Sequence, residues 1–190
     1  MDMRDYIVVA KGLIASEKCD EIVTMFKDSD EWVNAACGPD NGYHPDVRNC
    51  NIIRVSRPSE EKYASEARTL LDADLFGIVS SAVKQYIEKF PYVAAVINSD
   101  EGYDLMRYEP GQKVSRHIDV GATSATRALS CSIQLNDGFV GGEWQFFGDV
   151  KIPVEKGDIV MFPSNFCFDH EVTPVTEGVR YSLLTFLGYK

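Results

Sequence analysis

The chain has 190 residues, 45% of them hydrophobic and 25% charged, and its 29 acidic against 19 basic side chains leave a formal charge of −10. That composition suits a soluble globular chain long enough to bury a core. The negative balance argues against a surface that tracks nucleic-acid phosphates, although Arg48, Arg54, Arg57 and Lys62 lie close together. Five scattered cysteines (Cys19, Cys37, Cys50, Cys131, Cys167) form no C-x-x-C pair. They point away from a disulfide framework or a thiolate zinc site and toward a reducing cytoplasm. Met1–Asp5 carries no apolar signal region and no apolar run approaches membrane-spanning length, so neither export nor a membrane partner is expected.

Residues 6–10 read as a short strand closed by Lys11-Gly12. Ser16 as N-cap predicts a helix over 17–26, with Cys19, Ile22, Val23 and Phe26 turned to a core. Between Asn34 and Asn51 the composition shifts to Gly, Pro, Asn and Asp, which predicts a long loop usable as a lid. Tyr43 and His44 fall near its tip, and His44, standing alone, reads as a solvated loop residue. A strand over 51–55 stops at Arg57-Pro58, and two helices are predicted over 60–72 and 75–90. Leu75, Ile78, Val79, Ala82, Val83, Tyr86 and Ile87 make one apolar stripe on the second, which Pro91 ends.

Beyond the linker 98–102 the period becomes strand-like. Strands are predicted over 103–109, 113–120, 127–135, 143–147, 150–154, 158–162, 168–174 and 179–188, separated by Gly, Pro and Asp turns. The expectation is a single α+β domain in which a helix-rich part, 1–100, supports an all-β sandwich or barrel, 101–190.

The chemistry concentrates in the second half. His117 and Asp119, two residues apart, leave the same face of a strand. With a second histidine they would make the 2-His-1-carboxylate triad that holds non-haem Fe(II) and leaves positions open. His170 is the third ligand candidate, on a later strand able to return beside the pair. Arg180 lies ten residues further, on the other arm of an expected hairpin turning through 175–178. Even register would put it on the face of His170. A buried guanidinium beside a metal calls for a carboxylate, which it binds with two parallel hydrogen bonds. Taken singly, these side chains would read as ordinary satisfied polar residues; the triplet, the distal histidine and the arginine together point to metal.

The motifs carrying these residues resemble those of the Fe(II)/2-oxoglutarate-dependent dioxygenases, in the prolyl 4-hydroxylase-like branch. They are Tyr108-Glu109-Pro110-Gly111 before His117-Ile118-Asp119, Leu135-Asn136-Asp137 with Gly141-Gly142-Glu143, Lys156-Gly157-Asp158 with Phe162-Pro163, His170–Val175, and Gly178–Ser182. The resemblance runs from about Tyr103 to Gly188 and only weakly over the N-terminal part. It implies a double-stranded β-helix, or jelly roll, backed by helices. It implies that His117, Asp119 and His170 bind iron, that Arg180 takes the distal carboxylate of 2-oxoglutarate, and that Tyr108 and Gln134 face that co-substrate. No catalytic residue beyond the metal ligands is implied. O2 is the second co-substrate, with ascorbate as a reductant.

Collagen-type prolyl hydroxylases carry Lys where this chain has Arg180; other relatives carry Arg, so co-substrate use is unaffected. Halogenating relatives replace the carboxylate of Asp119 with a small residue, so hydroxylation of a C–H bond is the implied outcome. Tyr43, Arg48 and Trp144 are candidate substrate contacts, Trp144 equally a packing residue. The expected substrate is a peptide or protein, with a free amino acid or small metabolite as the alternative. A non-catalytic jelly-roll binding module is the reading from another class. Oligomeric state is not legible.

Overall fold

A computed structural model describes residues 2–38 and 42–189. Its two α-helices are α1 (Ser16–Phe26) and α2 (Glu66–Lys89). The strands of the first hundred residues are β1 (Val8–Ala10), β2 (Val33–Asn34), β3 (Arg48–Asn49), β4 (Asn51–Arg54) and β5 (Ser99–Asp100). Then follow β6 (Asp104–Tyr108), β7 (Lys113–His117), β8 (Arg127–Gln134), β9 (Val140–Gly141), β10 (Trp144–Phe146), β11 (Val150–Ile152), β12 (Ile159–Pro163), β13 (His170–Val172), β14 (Val175–Glu177) and β15 (Arg180–Gly188).

All described pairings are antiparallel. One sheet runs β1-β12-β8-β15-β6-β4-β2, with β5 on β15, and a second runs β11-β10-β13-β7-β3. The alternation seen in the sequence builds two cores. On β8, Leu129, Cys131 and Ile133, with Leu135 just beyond its end, pack with α1 and α2 in one cluster. Met106, Tyr108, Val160 and Phe162 of the larger sheet meet Val114, Trp144, Phe146 and Val172 of the smaller one in the other. Two antiparallel sheets face to face, closed on one side by helices, are the expected double-stranded β-helix.

Several boundaries differ from expectation for local reasons. Ser16 is the first helical residue; Ala15 precedes it as N-cap without a side-chain hydrogen bond. The two helices predicted over 60–72 and 75–90 are one, because Asp72-Ala73-Asp74 contains no breaker and Leu71 and Leu75 continue the same buried face. Ser65 caps it by accepting from the Arg68 amide, and Glu61–Tyr63 form a separate 3-10 turn. The N-terminal part is not only a helical support, since β1 to β5 add to the sheets. The 34–51 stretch is less of a free loop than predicted: β3 pairs with β7, and the Ser115 amide donates to the Val47 carbonyl. Its tip, 39–41, lies outside the described residues.

Arg68 ties α2 to the preceding segment. Its guanidinium is paired to Glu31 at 2.6 and 2.9 Å, both side chains buried, and donates to the carbonyls of Val55 and Arg54. Removing one partner of such a pair leaves a buried charge uncompensated. Glu31→Ala should therefore lower unfolding stability by about 3–5 kcal/mol, read from urea denaturation, with helix content in the folded baseline unchanged.

Candidate metal centre and co-substrate pocket

The smaller sheet presents one histidine directly opposite the other. His170 on β13 pairs in register with His117 on β7, and their rings lie 4.3 Å apart between centroids. Asp119 is not on the strand as expected. β7 ends at His117, and Asp119 sits in the bend beyond it, where the chain turns its carboxylate back between the imidazoles. His117 Nε2 is 3.4 Å from one carboxylate oxygen and His170 Nε2 is 3.5 Å from the other. The three donor atoms lie within 4.8 Å of one another, the only such group of three metal-capable side chains among the described residues.

Each imidazole is oriented the same way. Nδ1 of His117 lies 2.9 Å from the Ser115 carbonyl, and Nδ1 of His170 lies 3.0 Å from the Phe168 carbonyl. A carbonyl can only accept, so Nδ1 carries the proton and Nε2 keeps a free lone pair. Two neutral imidazoles and an ionised carboxylate converging on one point form a donor set that fits Fe(II). His170 is enclosed by aromatic rings, with Phe162 at 4.6 Å, Phe146 at 5.4 Å and Trp144 at 5.5 Å.

That burial pushes the His170 pKa below its ordinary 6.5, against the pull of Asp119. Burial also opposes charge on Asp119, but the contact with His117, the nearby His170 and the hydrogen bond from Ser130 outweigh it and hold the carboxyl at about 2. The two shifts act at different pH. The unfolded chain protonates His170 before the folded one does, so metal-free protein should lose stability as pH falls below 6.5. The Asp119 contribution is present above 3.8 and disappears as pH falls from there toward 2. Urea midpoints across this range should fall in two stages, and His170→Asn should remove the upper one.

A cavity of about 450 Å³ opens beside the three side chains, walled in part by Arg48, Asp104, Tyr108, Arg127 and Trp144. Trp144 therefore does both things considered for it, packing on Phe146 and lining the cavity. Arg48 lines the wall, whereas Tyr43 does not; its hydroxyl donates to Asn49 at 2.9 Å.

Arg180 is 1% exposed and not on the wall, but its guanidinium carbon lies 5.1 Å from the centre of the Tyr108 ring, which is. Nη1 donates to Ser182 at 3.2 Å, while Nε and Nη2 have no partner among the described residues. A buried cation with donors to spare is what the distal carboxylate of a dicarboxylate needs. Gly142, at φ +61, makes room for it, since a Cβ there would meet Arg180 Cδ at 2.8 Å. Gln134 is buried, but its amide donates to the carbonyls of Asn136 and Tyr181. With its donors taken up, it has only an oxygen to offer, which a carboxylate cannot use.

The expected hairpin joining His170 to Arg180 does not exist. β13 belongs to the smaller sheet, β15 to the larger, and β14 between them pairs with β9. The chain changes sheets between Pro174 and Gly178, so His170 and Arg180 meet the interior from opposite layers. Sequence reasoning also missed Ser130, whose hydroxyl bonds Asp119, and Asp104 on the cavity wall. The alternating Ser130, Ser132 and Gln134 on an otherwise apolar strand was the signal available.

Residues 103–188 match the model of the 2OG-Fe(II) oxygenase superfamily. The matched stretch carries His117, Asp119, His170 and Arg180. No curated protein matches the chain. Among solved structures, the chain is similar to a Pseudomonas putida prolyl-4-hydroxylase, with TM-score 0.70 and 19% identity over 97% of this chain and 93% of that one. It is similar to a Trichoplax adhaerens prolyl hydroxylase in complex with a hypoxia inducible factor peptide fragment, with TM-score 0.74 and 18% identity over 96% and 83%. A third is a viral collagen prolyl hydroxylase from Paramecium Bursaria Chlorella virus-1, in its 2OG complex, with TM-score 0.63 and 17% identity over 96% and 95%. At these identities the likeness is one of fold. No helix among the described residues is long and apolar enough to cross a membrane.

Proposed function

We propose that the protein is an Fe(II)- and 2-oxoglutarate-dependent oxygenase that hydroxylates a C–H bond of a peptide or protein, in the manner of a prolyl 4-hydroxylase, with His117, Asp119 and His170 as the iron ligands. The observation that carries the assignment is the convergence of three donor atoms within 4.8 Å, both histidines already oriented through Nδ1. Fe(II) held there, with 2-oxoglutarate and O2, supplies the oxidation that ends in hydroxylated product, succinate and CO2.

The protein's own part is placement. Arg180 takes the distal carboxylate of 2-oxoglutarate, with Tyr108 beside it as the wall residue that orients the chain of the co-substrate. The aromatic rings around His170 exclude water from its buried imidazole. Arg48 and Trp144 meet the substrate on the cavity wall. The fold shared with prolyl hydroxylases, one of them holding a peptide fragment, supports a peptide as substrate. Five free cysteines support a reducing, cytoplasmic setting.

One observation favours a free amino acid instead. Arg48 and Asp104 both line the cavity, and Nε of Arg48 has no partner among the described residues. Opposite charges on one wall suit the carboxylate and ammonium of a zwitterion. Succinate release with a panel of proline-containing peptides and free amino acids decides between them. Turnover of peptides alone supports the first reading; turnover of a free amino acid, lost in Asp104→Asn, replaces it with the second.

A further inference from the structure

Asp119 is the ligand with the least support from its own strand. It lies beyond the end of β7, so the ladder that aligns His117 does not fix it. Its carbonyl is held by the Ser124 hydroxyl and by Nη1 of Arg127, each at 3.1 Å. Arg127 is itself clamped by Glu101 at 2.8 and 2.6 Å and lies over the Phe186 ring. These contacts fix the backbone and leave the carboxylate free to rotate.

The carboxylate is fixed from the opposite sheet. Ser130 on β8 donates from Oγ to Asp119 Oδ2 at 2.6 Å, and Ser130 Oγ lies 2.9 Å from Ser164 Oγ. Both serines are buried, at 0% and 1% exposure. A hydroxyl has one proton, and Ser130 spends it on Asp119, so Ser164 is the donor in the second bond. Hydrogen bonds chained in one direction in a dry site strengthen one another. Ser164 is anchored in turn: its amide donates to the Ala128 carbonyl at 3.1 Å, and its carbonyl accepts from the Val120 amide at 3.1 Å. It thus ties the strand bearing Ser130 to the residue that follows Asp119.

We infer that Ser130, backed by Ser164, is a positioning residue that locks one oxygen of Asp119 and so makes it a single-oxygen ligand with Oδ1 turned to the metal. This rests on Asp119 being a ligand. Without the Ser130 hydroxyl the carboxylate is free to turn and offer both oxygens, occupying a position that the substrates need.

Metal affinity and geometry test this apart from turnover. Mn(II) dissociation constants and Co(II) d–d absorption are measured on wild type, Asp119→Ala, Ser130→Ala, Ser130→Thr and Ser164→Ala. Ser130→Ala should weaken Mn(II) binding about 10-fold, the low end for an outer partner of a ligand, and shift the Co(II) bands. Ser130→Thr, which keeps the hydroxyl, should restore both. Ser164→Ala should move both in the same direction by less, and the double variant should be no worse than Ser130→Ala alone. If Asp119→Ala loses Mn(II) but Ser130→Ala matches wild type in affinity and spectrum, the positioning role is overturned. If Asp119→Ala itself binds Mn(II) as wild type does, the ligand assignment falls and this inference with it. Should Ser130→Ala not fold, Ser164→Ala, with Ser130 still in place, decides by the presence or absence of the spectral shift.

Discussion

In Asp119→Ala protein, added Fe(II) should no longer raise the melting temperature. A ligand that binds only the folded state, at about 100 times its dissociation constant, stabilises by about 2.7 kcal/mol. For a chain of this size that is a rise of roughly 5–10 °C, which anaerobic thermal unfolding resolves. The variant keeps two neutral imidazoles but loses the only negative charge between them, and with it the geometry of a facial set. The loss should exceed the roughly 10–100-fold that removing an outer partner costs. His170→Ala should behave alike, because His170 and Asp119 are the two buried members of the set. His44→Ala, whose side chain is not part of the cavity wall, should keep the full shift. A wild-type shift in Asp119→Ala would move the metal elsewhere.

How much of this site was legible follows from which constraints are local. The two-residue spacing of His117 and Asp119, the distal His170 and Arg180 sufficed to name the residues, because the side-chain types a metal and a dicarboxylate require are few. The geometry joining them was less legible. The hairpin from His170 to Arg180 agreed with strand periodicity, yet alternation records which way a side chain points and not which sheet its strand joins. The turn of Gly178, at φ +73, sends the chain to the other layer, and the parity survives although the connection does not.

Asp119 shows the same limit on a smaller scale: a strand extended to Val120 and a bend after His117 both bring its carboxylate to His117. The two helices expected over 60–72 and 75–90 are one because the buried face continues from Leu71 to Leu75 across Asp72-Ala73-Asp74. The carbonyls that orient both histidines belong to the residues two positions back, Ser115 and Phe168. Any residue type supplies a carbonyl, so no sequence signal exists for them.

Arg180→Met should separate stability from co-substrate binding, moving them in opposite directions or leaving the first unchanged. In the ligand-free protein the Arg180 guanidinium is buried, has two nitrogens without a partner among the described residues, and donates only to Ser182. Burial works against its charge, and the neighbouring Tyr108 only partly offsets that. An unbranched apolar side chain of similar length fills the space beside Gly142 and Tyr108 without the cost of desolvating a cation. The metal-free variant should therefore unfold at the wild-type urea concentration or above it.

Binding of 2-oxoglutarate should suffer heavily. Truncating one side of a buried, hydrogen-bonded charge pair costs about 2–5 kcal/mol, or about 30- to 5,000-fold in dissociation constant. Arg180→Lys should fall between, since an ammonium keeps the charge but not the planar fork. Mn(II) affinity, set by side chains on the other sheet, should stay at the wild-type value in both variants. Calorimetric titration of the Mn(II)-loaded proteins with 2-oxoglutarate measures the loss, and urea unfolding of the metal-free proteins measures the stability. A variant that is several kcal/mol less stable yet binds 2-oxoglutarate normally would show that Arg180 holds the two sheets together and that the carboxylate is received elsewhere on the wall, with Arg48 the cation left to receive it.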